Sequence, residues 1–295
     1  MRVRTLGTDG PAVTAVGCGD VSLARAAARG IDAIDVSRVL HEAIEAGIEL
    51  VDVAEDAEPL VGEAVRALRV RDRVVVATRA PLRGLRQRVE ASLRATRLEV
   101  LPLVQLPVRA ADVAASWWPE LLGACARLVR EGKVLRWGAV MDEIVEVDGF
   151  CAIAVPFNVC ERPAIEDRGI AVLARRPLAG GALAGTLGPG AVLLRTDDRR
   201  EMDFERVAVG VAKLAALVKR QPPAARSSDA ARQQLAQNVR PADIRCETVA
   251  ELALRFVIDR GAIALPRLHR REHIAEAIAA AAAPPLHIEV PDLDS

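Results

Sequence analysis

The residues of this chain that could do chemistry are mostly carboxylates and arginines, and they fall at the ends of short apolar runs. Cys18 and Asp20 follow the first run, Asp52, Glu55 and Asp56 the second, and Arg79 the third. Gln105 and Arg109 follow the fourth, Asp142 the fifth, Asn158 the sixth, and Arg175 and Arg176 the seventh. Carboxylates and arginines without metal-ligating histidines suit a polar or anionic small molecule. Asp52 and Glu55 are close enough in sequence for an acid–base pair of the kind that isomerisation, dehydration or cyclisation needs. The alternative is that these acids are merely solvated. Asp52 and Arg79 could pair through a two-toothed hydrogen bond, either as a structural bridge or as an anion or substrate clamp. Cys18 beside Asp20 has no histidine placed to activate it, and reads as a small buried cysteine. Arg267, His269, Arg270 and His273 gather before a helical stretch, an arrangement that attracts anions. The alternative there is a solubilising helix end.

Bulk composition narrows the function classes. Lys+Arg and Asp+Glu are equal at 40 each, which argues against a nucleic-acid partner, since phosphate binding needs a basic surplus. The five cysteines lack CxxC spacing, so neither zinc nor a disulfide framework is expected. Met1–Gly7 has no apolar run behind its charges, and the apolar stretch from Ile274 to Ala283 is too short for a membrane span. A cytoplasmic protein without membrane contact is the expectation.

The elements that would position these residues follow an alternating rhythm. Arg2–Leu6 and Val13–Val16 flank a Thr-Asp-Gly-Pro turn and read as a leading hairpin. Buried strands are expected at Val16–Gly19, Glu49–Asp52, Val74–Thr78, Val100–Leu106, Leu135–Val140, Cys151–Val155, Ala171–Arg175 and Ala262–Leu265. Helical periodicity separates them at Val36–Ala46, Pro59–Leu68, Leu82–Leu93, Ala110–Glu131, Phe204–Lys219, Thr248–Asp259 and Arg270–Ala282. Eight βα units make one α/β TIM barrel, a single domain over residues 1–295, with an insertion at about 221–245. Of the neighbouring Trp117 and Trp118, one should pack and one be exposed, while Trp137 reads as barrel filling.

Several segments resemble the aldo-keto reductase family. Leu6-Gly7 and Val16-Gly17-Cys18-Gly19 resemble its first strand, and Ala43-Ile44-Glu45-Ala46-Gly47-Ile48 through Val51-Asp52-Val53-Ala54 resembles its A-x-x-x-G-I-x-x-x-D-T-A block. Leu128-Val129-Arg130-Glu131-Gly132-Lys133-Val134, Pro156-Phe157-Asn158 and Arg176-Pro177-Leu178-Ala179-Gly180-Gly181 continue the pattern, in order and at matching spacing. Glu251–Val257 and Leu265-Pro266 through Glu272-His273-Ile274 complete it.

The resemblance implies a carbonyl-reducing site with a tyrosine acid, a lysine, an aspartate and a histidine. Only the aspartate is matched, by Asp52; the chain contains no tyrosine, Arg79 stands for the lysine, and Pro107 for the histidine. Arginine stays charged near neutrality and cannot relay a proton as a tuned lysine can. The nicotinamide-binding polar groups are replaced by Gly138, Ala139 and Ala154, and the serine of the seventh-strand loop by Arg176. Arg267, His269, Arg270 and His273 match the loop that binds the adenosine 2′-phosphate, and Asn158 and Arg176 the remainder of the cofactor site. NADP(H) is thus the implied cofactor, although another phosphorylated ligand would also fit. Three functions follow: a small-molecule-binding or regulatory pseudoenzyme, a non-redox enzyme using Asp52, Arg79 and Glu55, or a divergent NADP-dependent reductase.

Overall fold

The structure, a computed structural model, describes residues 1–165, 169–185, 187, 204–220, 246, 248–286 and 290. Its parallel strands are the short Val/Leu/Ala-rich runs of the sequence. They are β3 (Cys18–Val21), β4 (Leu50–Val53), β5 (Val75–Arg79), β6 (Leu101–Pro107), β7 (Val134–Val140), β8 (Ala152–Pro156), β9 (Ala171–Arg175) and β10 (Ile263–Leu265). Each pairs with the next in chain order, forming one eight-stranded sheet. The first and last strands meet: Val16 bridges Ala264 in parallel, and the Gly19 N–H donates to the Pro266 carbonyl at 2.8 Å. A Cβ on Gly19 would fall 2.1 Å from the Leu265 carbonyl oxygen, so this closure requires glycine. The expected TIM-barrel architecture is therefore present.

The leading hairpin, β1 (Val3–Thr5) and β2 (Ala12–Thr14), is antiparallel. Leu6 and Val13 pack among Leu50, Leu103 and Ile263, placing the hairpin under the barrel's amino-terminal end. The opposite end is left to the strand-end residues.

Around the sheet lie α1 (Leu23–Ala27), α2 (Ala33–Glu45), α3 (Glu58–Ala67), α4 (Leu85–Thr96), α5 (Ala110–Val113), α6 (Trp118–Arg130), α7 (Phe204–Arg220), α8 (Val249–Asp259) and α9 (Arg271–Ala282). Local chemistry starts and stops them. Asp32 and Thr248 accept the N–H groups of Asp35 and Glu251 as N-caps, and Gly132, at φ +69°, follows the end of α6.

Two expectations need correction. The helix expected over Ala110–Glu131 is broken into α5 and α6, because Pro119 is tolerated only in a helix's first turn. The break separates the tryptophans: Trp118 is buried beside Phe150, with ring centroids 6.2 Å apart, whereas Trp117 is partly exposed. Trp137 does not fill the barrel. Its Nε1 donates to the Cys125 carbonyl of α6 at 3.2 Å, so it packs between β7 and the helical layer. The insertion expected at 221–245 lies outside the described residues. No helix of the described residues is long and apolar enough to cross a membrane.

Candidate functional site

Strand β4 is buried at all four positions, and one of them is Asp52, 2% exposed. A carboxylate placed there needs donors, and three surrounding segments supply them. Arg79, at the end of β5, donates from Nη2 to Oδ2 at 2.5 Å; Gln105, on β6, donates from Nε2 to Oδ1 at 2.9 Å; the Asp20 N–H donates to Oδ2 at 3.2 Å. Asp20 itself, at φ +49°, turns its side chain to three arginines. Its Oδ1 accepts from Arg25 at 2.7 Å and Arg79 at 3.3 Å, and its Oδ2 from Arg267 at 2.5 Å. The charge of Asp52 raises the Arg79 pKa above the ordinary arginine value; burial opposes this, and Asp20 reinforces it. Arg79 is thus a fixed cation and no proton donor at neutral pH.

This network forms part of the lining of a cavity of 1240 Å³ at the carboxyl ends of the strands. Arg175 and Arg176 line another part of it, and the Arg267–Glu276 segment a third. Among the described residues nine arginines and seven carboxylates line it, so most of that charge is internally matched. Arg176 sits at φ +50°, and its carbonyl accepts Asn158 Nδ2 at 3.1 Å.

The basic segment at the start of α9 is less cationic than its composition implies. Arg267 is committed to Asp20, and Arg271 holds Glu42 at 2.7 Å. His273 Nδ1 accepts the His269 N–H at 3.3 Å, and burial followed by repulsion from Arg270 lowers its pKa. Its neutral ring then carries the proton on Nε2. Arg270 is the exposed N-cap residue of α9, with no side-chain cap bond there, and His269 also lines the cavity.

The structure does not bring all the expected residues together. Glu55 is 76% exposed at the side chain and faces Arg88 at 3.6 Å, on the helical layer, so it does not join Asp52 as an acid–base pair. The short 3-10 turn at Glu55–Ala57 carries the chain out of the mouth before Glu55 could face it. Asp56 accepts the Ala24 N–H and the Ser22 hydroxyl at the start of α1. Arg109 closes a capping box with Asp112. Asn158 is fully buried and spends its amide on Glu161, Cys160 and Arg176, which makes it a support for Arg176. Burial pushes the Cys18 thiol up to about 12, which removes it as a nucleophile. Arg25 was missed. The signal was the Ser22 cap before Leu23-Ala24-Arg25-Ala26-Ala27, too short a run to register as a periodic helix.

Comparison with known proteins agrees with this architecture. The sequence pattern of the Aldo/keto reductase family matches residues 15–293. A search of curated proteins returns no match. Among solved structures, an aldo-keto reductase from Bacillus halodurans in its holo form is similar at 20% identity and TM-score 0.68, over 97% of this chain and 92% of that one. An aldo-keto reductase from Klebsiella pneumoniae in complex with NADPH is similar at 22% identity and TM-score 0.61, over 100% of both chains. With the barrel, its closure and the family match over nearly its whole length, this chain belongs to the aldo/keto reductase family.

Proposed function

We propose that the mouth cavity holds a nicotinamide dinucleotide of the NADP(H) type, and that the chain is a divergent oxidoreductase of its family. One observation carries this reading: a single cavity of 1240 Å³ joins the N-terminus of α9, the Arg176 side chain and the Asp52–Arg79 floor. That exceeds the roughly 300–1,000 Å³ usual for drug-sized ligands. The phosphate end fits. No side chain caps α9, and Arg270 stands at its start, as a phosphate site at a helix N-terminus requires. The ring end fits less well, because Gly138, Ala139 and Ala154, where the family resemblance places partners for the carboxamide, carry no polar side chain and lie outside the lining of the cavity. The Klebsiella pneumoniae relative, solved with NADPH, supports the same assignment.

When bound, such a nucleotide supplies or accepts a hydride equivalent. The part left to this chain is to hold the substrate oxygen. Arg79, 31% exposed at the side chain and fixed by Asp52 and Asp20, would stabilise negative charge developing on that oxygen. Because Arg79 keeps its proton, the proton taken up by that oxygen comes from water. Absence of a side-chain acid costs about 10²–10⁴ in rate, so turnover is expected to be slow. A second reading, a nucleotide-binding regulator without turnover, is favoured by the engagement of Arg79 with two carboxylates and by the lack of any tyrosine.

NADPH titration followed by fluorescence, then NADPH consumption with a panel of carbonyl compounds, separates these readings. Saturable binding with slow turnover that Arg79→Met abolishes supports the oxidoreductase. Binding without turnover supports the regulator, and no binding at millimolar nucleotide removes both.

A further inference from the structure

The cations of the cavity are unevenly matched. Arg25, Arg79 and Arg267 close on Asp20, and Arg79 also on Asp52. Arg175, at the end of β9, instead gives Nη1 to the Met141 carbonyl at 3.3 Å and faces the Asp142 carboxylate at 3.5 Å. The carbonyl is neutral, and the Asp142 side chain is 86% exposed, so water screens that pair. Burial lowers the Arg175 pKa from its ordinary value; repulsion from Arg79 adds to this, Asp142 opposes it, Arg176 adds again and Asp52 opposes. An arginine so placed is under-compensated where it stands.

Arg176 keeps a left-handed backbone at φ +50°, fixed through its carbonyl by the buried Asn158. A non-glycine residue holds such a conformation only where the surroundings over-determine it, and such sites cluster around ligands. Its Nε is buried without a hydrogen-bond partner among the described residues, and Arg79 Nε is in the same condition.

We infer that the corner of the cavity formed by Arg175, Arg176 and the open face of Arg79 is a carboxylate subsite that takes the acid group of a small oxo acid. As a substrate subsite it rests on the oxidoreductase reading; as a binding site it stands on the arginines alone. A carboxylate matches a planar guanidinium two oxygens to two N–H groups. Phosphate also accepts two guanidinium N–H groups and is the competing anion for this corner, which the titration below separates from a carboxylate. The carbonyl of such an acid is adjacent to the carboxylate in pyruvate and two methylenes away in 4-oxopentanoate, and Arg79 lines the same cavity as Arg175.

The test is calorimetric titration of the protein with pyruvate, 4-oxopentanoate, methyl pyruvate and inorganic phosphate. At least one of the two acids should saturate, while the uncharged ester, which keeps the carbonyl, should not. Arg175→Leu should weaken acid binding by about tenfold or more. Asp142→Asn removes the competing carboxylate and should tighten it. Should the leucine variant fail to fold, Arg175→Lys keeps the charge but loses the fork, and binding should still fall several-fold. Neither acid saturating, ester and acid binding alike, phosphate binding more tightly than both acids, or unchanged binding in the Arg175 variants would each overturn the subsite. NADPH titrated alongside separates the two proposals. Acid binding without NADPH binding sinks the nucleotide reading and leaves the subsite standing; NADPH binding without acid binding sinks the subsite alone.

Discussion

Asp52 and Glu58 are close in sequence and both are buried, at 2% and 0% exposure, yet they are served differently. Asp52, in the mouth, accepts hydrogen bonds on both oxygens, from Arg79, Gln105 and the Asp20 backbone. Glu58, in the helical layer, accepts on Oε1 only, from Arg88 at 2.5 Å and Ser92 at 2.9 Å, and its Oε2 is buried without a partner. Burial raises the Glu58 pKa, with Arg88 and Ser92 pulling against it. Burial alone therefore does not settle how well a carboxyl is satisfied; the number and placement of its donors do. The mouth supports a charge from several strand ends at once, which is what a prearranged electrostatic site needs. The helical layer supports its charge from one neighbouring helix.

The largest effect should come from stripping the mouth. Arg79→Met leaves Asp52 buried without its charged partner and should cost about 3 kcal/mol in urea unfolding, and a loss below about 1 kcal/mol would place Asp52 among weak surface-like pairs. The matching change in the helical layer, Arg88→Met, should cost less at neutral pH, about 1–2 kcal/mol, because a carboxyl already pushed upward by burial can escape by taking a proton. Equal losses in the two variants would erase the contrast.

Titration sharpens it further. The folded state holds the Glu58 proton more tightly than the unfolded chain does, so stability from this group is greatest at low pH and falls as pH rises through the raised folded value. As pH rises above the ordinary glutamate value, Glu58→Gln should remove part of the fall in stability, and an unchanged slope would clear Glu58 of any part in it. Glu131 runs the other way. The hydrogen bond from Arg86 holds it at about 2, with Lys133 assisting, so its contribution is present above the ordinary glutamate range and is lost as pH falls through about 2. That group is solvent-facing and should add little. The smallest effect is expected for Gln105→Leu, which removes one donor to Asp52 together with a buried Oε1 that lacks a partner. Its net cost should stay below about 1 kcal/mol, and a larger loss would make Gln105 an equal of Arg79.

The fold was legible because its signals are local. Runs such as Leu50-Val51-Asp52-Val53 and Val75–Arg79 are apolar enough to be strands buried on both faces, and helical stretches between them set the βα order. The Asp32 and Thr248 caps and Gly132 are likewise read from single residues. The site was legible only in part. Asp52, Arg79, Arg175, Arg176 and Arg267 lie on the cavity as strand-end positions should, because a barrel sends all its strand ends to one mouth. Glu55 was misplaced because spacing along a chain does not say which way a turn leaves a strand. Asn158 stands where the resemblance places a cofactor contact, but a buried amide first satisfies its own loop.

The sequence by itself determined the barrel, the order of its strands, which side chains stand at their ends, and that no tyrosine is among them. Tertiary structure decided which of those charges meet. Asp20 collects arginines from positions 25, 79 and 267, the last across nearly the whole chain, while Arg175 on the same floor is left facing a neutral carbonyl and an exposed carboxylate. The division has a physical cause. Strand and helix periodicities are set by neighbours along the chain, whereas ion pairing depends on distances that exist only after the first and last strands close the barrel at Gly19 and Pro266.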